Sequence, residues 1–158
     1  MEYINANIEL FESTKQTSKG KLHFINPINT LKAGINTKHI GNFSIVSYIT
    51  LLGSKNQKAN NIIDKQGCLD VCIRLTKLKT PNSDEITYDL DKFTIDTVDK
   101  TNIIHKDATV HYMNYKRITE VDKITVYQPK GSYVIKVLVK ESTTEKYELQ
   151  SITSLEVK

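Results

Sequence analysis

No stretch of the chain stays apolar for the ~20 residues that a membrane-spanning helix needs, and the amino terminus Met1-Glu2-Tyr3-Ile4-Asn5 has neither the basic nor the apolar block of a secretory signal. The expectation is a cytoplasmic protein with no membrane partner. Three prolines and six glycines are too few for collagen-like or low-complexity behaviour. The two cysteines, Cys68 and Cys72, fall on one predicted strand. Extended residues four apart are separated by roughly 13 Å, beyond disulfide reach, so two free thiols and a reducing compartment are expected. Arginine is almost absent, with Arg74 and Arg117 against twenty lysines, and isoleucine and asparagine are plentiful. That bias matches an AT-rich coding genome, as in a low-GC bacterium or its phages.

What the chain does have is alternation. From Cys68 to Leu78 the apolar Leu69, Val71, Ile73 and Leu75 take every second place, with Cys68, Asp70, Cys72, Arg74 and Thr76 between them. A period of two puts one row of side chains in a core and the other toward solvent. The same pattern marks Ile4, Ala6, Ile8 and Leu10, then Tyr133, Ile135, Val137 and Val139, and resumes at Tyr147, Leu149, Leu155 and Val157. Residues 43–52 are apolar on both faces and read as a central strand. Shorter strands are expected at 22–25, 86–88, 92–98, 108–112 and 124–127, and residues 26–42 as a long connection. Tyr115, Ile118, Val121 and Ile124 are spaced by three, which leaves room for one short helical turn near 115–124.

Nine or ten strands joined by turns, with no strand–helix–strand units, predict an all-β fold. The expected architecture is a single antiparallel β-sandwich over residues 1–158, of immunoglobulin-like or Greek-key type. The run Gly131-x-Tyr133-x-Ile135-x-Val137 resembles the penultimate strand of immunoglobulin-like and fibronectin-type domains. The resemblance implies a tyrosine corner at Tyr133. It covers about ten residues, and the cysteine–tryptophan–cysteine pattern of antibody domains is missing.

Catalytic chemistry finds no motif. There is no Gly-x-Ser-x-Gly elbow, no phosphate-binding glycine loop around Gly53-Ser54-Lys55, and no second thiol pair to make a zinc knuckle. The acids Asp89, Asp91, Asp96 and Asp99 break the calcium-loop formula at Phe93 and read as a solvated strand face. His23, His39, His105 and His111 read as unrelated surface histidines, so no metal and no cofactor are expected.

Charge, by contrast, is placed unevenly. No acidic residue occurs between Glu12 and Asp64, a window that holds Lys15, Lys19, Lys21, Lys32, Lys38, Lys55 and Lys58. Residues 1–80 carry eleven bases against five acids, and residues 81–158 eleven against thirteen. A basic surface of that kind attracts acidic proteins or nucleic acid. The leading expectation is a non-enzymatic binding or accessory protein that uses these lysines on an acidic protein partner. Two alternatives stand beside it: nucleic-acid binding through the same lysines, and a small-ligand or enzyme pocket built from loops around His105, Asp107 and His111.

Overall fold

A computed structural model describes residues 4–33, 38–52, 68–96, 105–106 and 111–158, with backbone only for Leu52, His105, Lys106 and 111–113. Ten strands are formed: β1 (Ile4–Gln16), β2 (Leu22–Pro27), β3 (Thr30–Leu31), β4 (His39–Leu52), β5 (Cys68–Lys77), β6 (Ile86–Asp96), β7 (His105–Lys106), β8 (His111–Thr125), β9 (Gly131–Glu141) and β10 (Glu148–Val157). There is no helix among the described residues. One sheet has the order β2-β1-β4-β8-β7 and the other β3-β10-β9-β5-β6. Every pairing is antiparallel except that of β3 with β10.

The alternating rows meet between the sheets. Ile4, Ile8, Leu10, Phe43, Ile45, Ile49 and Leu51 face Leu69, Val71, Ile73, Leu75, Ile135, Val137, Val139 and Leu155 in one core cluster. Each such side chain removed from water contributes roughly 1.5–3 kcal/mol. β4 lies at the centre of its sheet, and the carboxyl end forms the expected hairpin.

Four expectations need correction. Residues 115–124 are part of a single strand, β8, so the helical turn does not form. Only the last step of the spacing, Val121 to Ile124, arises because β4 and β8 change face together; Ile118, opposite Val46, lies on the other face from Tyr115 and Val121. Ile40 and Phe43 are both buried, and across from them Val121 and Ile124 both pack on the core, while the ladder between the strands keeps its register. The switch runs through Gly41 and Asn42, the latter at φ 60. A Cβ on Gly41 would sit 1.6 Å from the carbonyl oxygen of Asp122, so only glycine allows the two backbones to pass this closely.

The two short strands expected at 86–88 and 92–98 are one strand, β6, with a bulge opposite Ile73/Arg74. The long 26–42 connection contains β3 and the start of β4. On β5 the outward row is not all wet. Cys72 and Thr76 are fully buried, on a strand flanked at both edges, by β6 and β9. Both cysteines are free, and burial, reinforced by nearby Asp89, pushes the Cys72 thiol up to about 11. At the end of the inner row stands Lys77, 5% exposed. Its Nζ donates to the carbonyl of Gln128 at 2.5 Å, and the Tyr133 hydroxyl donates to the carbonyl of Pro129 at 2.6 Å. Two side chains rooted in the core thus hold the 126–130 corner that joins the sheets.

Three substitutions test this packing. Gly41→Ala is expected to cost on the order of 3 kcal/mol or more, read as a lowered midpoint in chemical denaturation. Val71→Asp should give unfolded or insoluble protein. Asp70→Ser on the outer row should cost about 1 kcal/mol, since Asp70 accepts hydrogen bonds from Thr94 and Ser142, both at 2.9 Å.

Candidate functional site

Strand direction decides which lysines share a surface. The pairs Phe11↔Ser44 and His39↔Thr125 place the end of β1, the start of β4 and the end of β8 together. In the other sheet the pairs Val157↔Gly131, Lys77↔Tyr133 and Lys77↔Ile86 gather the end of β10, the start of β9, the end of β5 and the start of β6. The short 126–130 corner links the two sets. The connections 17–21, 78–85 and 126–130, together with Lys32, Ala33 and Lys38, therefore lie at one end of the sandwich.

Lys15, Lys19 and Lys21 belong to the β1–β2 hairpin and are exposed. The turn is tight. Gly20 adopts φ 75, the Gly20 amide donates to Thr17 O at 2.9 Å, and the Thr17 amide donates to Lys21 O at 2.8 Å. The hairpin is braced on the outside of its sheet, where Phe11 stacks on Phe24 at 4.9 Å and the Lys116 Nζ sits 4.5 Å from the Phe24 ring centre. Lys32 and Lys38 flank the connection from β3 to β4 and are exposed as well. Their positions are tied by backbone bonds: Ala33 to Lys158, Lys158 to Leu31 and Val126 to Lys38. The structure thus brings Lys19, Lys21, Lys32 and Lys38 to one end, with Lys15 just below it. Lys55 and Lys58 lie outside the described residues, and so does Asp107. The backbones of His105 and His111 pair with Tyr112 and Lys106 respectively, and their side chains are not described.

Charge in the amino-terminal window did not reveal the rest of this surface. Lys79, Lys130 and Lys158, from outside that window, belong to it too. Four of the six large hydrophobic residues exposed among the described residues, Leu22, Leu78, Ile86 and Tyr127, are also here, Tyr127 at 73% exposure. Among the described residues, none of Lys19, Lys21, Lys32, Lys38 and Lys130 forms an ion pair. A hollow of ≈ 220 Å³ opens at the same end beneath the face switch, with Leu31, Ile40 and Val157 as its apolar lining and Lys32, His39, Asp122 and Lys123 as its polar one. This end thus mixes exposed apolar side chains with lysines that form no ion pair among the described residues.

Of the acids expected on a solvated strand face, Asp89 and Asp96 are exposed, Asp91 is not on that face, and Asp99 lies outside the described residues. Asp91 points between the sheets, where it accepts from Arg117 Nε at 3.0 Å, Arg117 Nη2 at 3.3 Å and Thr119 Oγ1 at 2.8 Å. Burial opposes ionisation of Asp91, but the bonds from Arg117 and Thr119 outweigh it and hold the carboxyl below its ordinary value. Phe93 stacks on Tyr115 at 5.5 Å alongside, and Arg117 lies 5.0 Å from the Phe93 ring centre. Asp89, on the outer face, pairs with Arg74 at 2.6 Å and Lys92 at 2.8 Å, which hold it well below the usual carboxylate range. No three His, Cys, Asp or Glu side chains converge as a metal site among the described residues.

Comparison with known proteins returns little. No family model matches the chain, and no curated protein does. Among solved structures the chain is similar to the CooA pilin subunit from enterotoxigenic Escherichia coli, at a TM-score of 0.36 and 15% identity, over 95% of this chain and 96% of that one.

The carboxylates make acid stability predictable. Asp70, Asp89 and Asp91 all have folded-state values below the ordinary one, so their stabilisation is complete above about pH 4 and is lost as pH falls through the folded values. Urea denaturation from neutral pH downward should show a plateau and then a decline. Asp91→Asn should lose about 1–2 kcal/mol at neutral pH and flatten part of that decline.

Proposed function

We propose that this protein is a non-enzymatic binding module that docks an acidic protein partner on the basic end of its sandwich. The observation that carries the reading is the coincidence of unpaired lysines (Lys19, Lys21, Lys32, Lys38, Lys130) with exposed Leu22, Leu78, Ile86 and Tyr127 at that end. Interface anchors of the hot-spot kind are typically aromatic, and their neighbours exclude water around them. Phosphate recognition does not need exposed aliphatic side chains, and sequence-tolerant nucleic-acid grooves are built on several stacking aromatics, so the protein partner is favoured over nucleic acid.

The immunoglobulin-like resemblance enters the same proposal. The orders β1-β4-β8-β7 and β10-β9-β5 follow the A-B-E-D and G-F-C arrangement of such sandwiches, with Tyr133 near the start of the strand equivalent to F. Its hydroxyl bond to Pro129, four residues upstream, supports that alignment. Loops at the ends of such sandwiches are common places for recognition.

Two variants separate the readings. One reverses charge at Lys19, Lys21, Lys32 and Lys38 to Glu; the other removes apolar contact with Tyr127→Ala and Leu78→Ser. An acidic protein retained from a lysate of the source organism by the unmodified chain should be lost with either variant, each costing tenfold or more in affinity on the order of known anchor residues. Retention unaffected by both would place the contact elsewhere. Binding of duplex or single-stranded nucleic acid with a steep salt dependence, lost only with the charge variant, would replace the protein partner by the nucleic-acid alternative.

A further inference from the structure

The edges of the two sheets are not equally protected. β6 carries Asp89, Asp91 and Lys92 and a bulge. β10 is interrupted by an irregularity between Leu149 and Ser151. The side of β8 away from β4, beyond the two residues of β7, presents Lys116, Arg117, Glu120, Asp122 and Lys123 along its length. Charges and bulges of this kind keep other strands away. β1 is different. It pairs with β4 without a break from Ile4 to Phe11, but β2 covers its other side only from Phe11 to Gln16. From Ile4 to Ile8 that side has no strand among the described residues, and it has no charge, proline or bulge.

The direction of the backbone groups follows from one bond. The Ile28 amide donates to the carbonyl of Leu10 at 2.9 Å, so Leu10 faces the β2 side. In an antiparallel strand, both backbone groups of a residue point the same way and the direction alternates along the chain. The amides and carbonyls of Ile4, Ala6 and Ile8 therefore face the open side. Ile8 shows this directly: its amide is taken by the Asn7 Oδ1 at 3.0 Å, a side chain standing in for a neighbouring strand.

The open segment reads Ile4-Asn5-Ala6-Asn7-Ile8, the same in both directions. We propose that this edge is a self-association site at which two copies of the chain pair antiparallel about Ala6. The register is Ile4 with Ile8, Asn5 with Asn7, and Ala6 with Ala6 of the second copy. Each of the Ile4, Ala6 and Ile8 pairs exchanges both of its backbone bonds. The inward Ile and Ala side chains continue one core face across the junction, and the exposed Asn5 and Asn7 meet on the outer face, where amide side chains donate and accept mutually. No like charges oppose one another. A shift by one residue would turn the apolar row of one copy against the polar row of the other, so the palindrome selects the register. Because the paired strands run in opposite directions, the two basic ends point away from each other.

Sedimentation equilibrium of the full chain over a concentration series tests this. The unmodified protein should show a monomer–dimer equilibrium. Asn5→Lys with Asn7→Lys sets like charges opposite one another at two cross-strand positions and should weaken the dimer roughly tenfold or more. Asn5→Lys with Asn7→Glu sets opposite charges there and should restore or tighten it. Circular dichroism and thermal melting of both double variants, which change exposed side chains, check that the fold is kept. A monomer at every concentration reached would overturn the proposal. So would a dimer of the Lys/Lys variant as tight as that of the unmodified chain, or one that the Lys/Glu variant fails to recover.

Discussion

The close passage of Gly41 across the carbonyl of Asp122 is the constraint on which one end of this sandwich depends. Without it, β4 and β8 would keep strict alternation through their last turns of pleat, and Ile40 and Ile124 would face solvent. With it, both strands exchange faces in step, so the ladder survives while the core gains an extra layer at its end. Val126 completes that layer, just where the chain leaves β8 for the 126–130 corner to the other sheet. The hollow bordered by Lys32 and Lys123 is the outer surface of the same switch.

The two long sides of the sandwich are closed by different physics. Between β6 and β8 the closure is polar: Arg117, Asp91 and Thr119 satisfy one another between the sheets, beside the Phe93–Tyr115 stack. A partly buried pair adds less to net stability than apolar packing of the same volume, but its geometry is demanding, so it fixes how one sheet sits over the other. Between β1 and β10 the closure is apolar packing, which tolerates sliding but buries more surface.

The rows of β1, β5 and β9 were legible in the sequence because each keeps a clean period of two over enough residues to define a face; β4 was legible as a strand apolar on both faces, and on β10 the irregularity after Leu149 leaves that residue exposed although its row was expected inward. The architecture followed from their number. What escaped was wherever the backbone or a long side chain breaks that rule. Tyr115, Ile118, Val121 and Ile124 imitate a helix because an outward Ile118 falls between the core residues Tyr115 and Val121, and the face switch then brings Ile124 onto the core three places after Val121. Lys77 sits on a core row that its charge disguises, since only a carbonyl brought in from residue 128 makes a buried ammonium acceptable there. Asp91 is indistinguishable in sequence from Asp89, and its inward role depends on Arg117, twenty-six residues away. Of the candidate surface, the lysines at 19, 21, 32 and 38 were readable from the acid-free window. Leu22, Leu78, Ile86 and Tyr127 were not, because apolar residues at strand ends read as core until the ends of the strands are known to be bare.

The bond from Tyr133 to Pro129 and the bond from Lys77 to Gln128 have a consequence for recognition. Both acceptors are main-chain carbonyls of the segment that carries Tyr127 and Lys130, and both donors are anchored among fully buried side chains. That segment is therefore preorganised before any ligand arrives. Ordering a rotamer-rich side chain on association costs about 0.5–1.5 kcal/mol, and a contact made by an already immobilised rim escapes part of that entropic toll. Were the proposed partner to bind at this end, the corner would meet it already ordered.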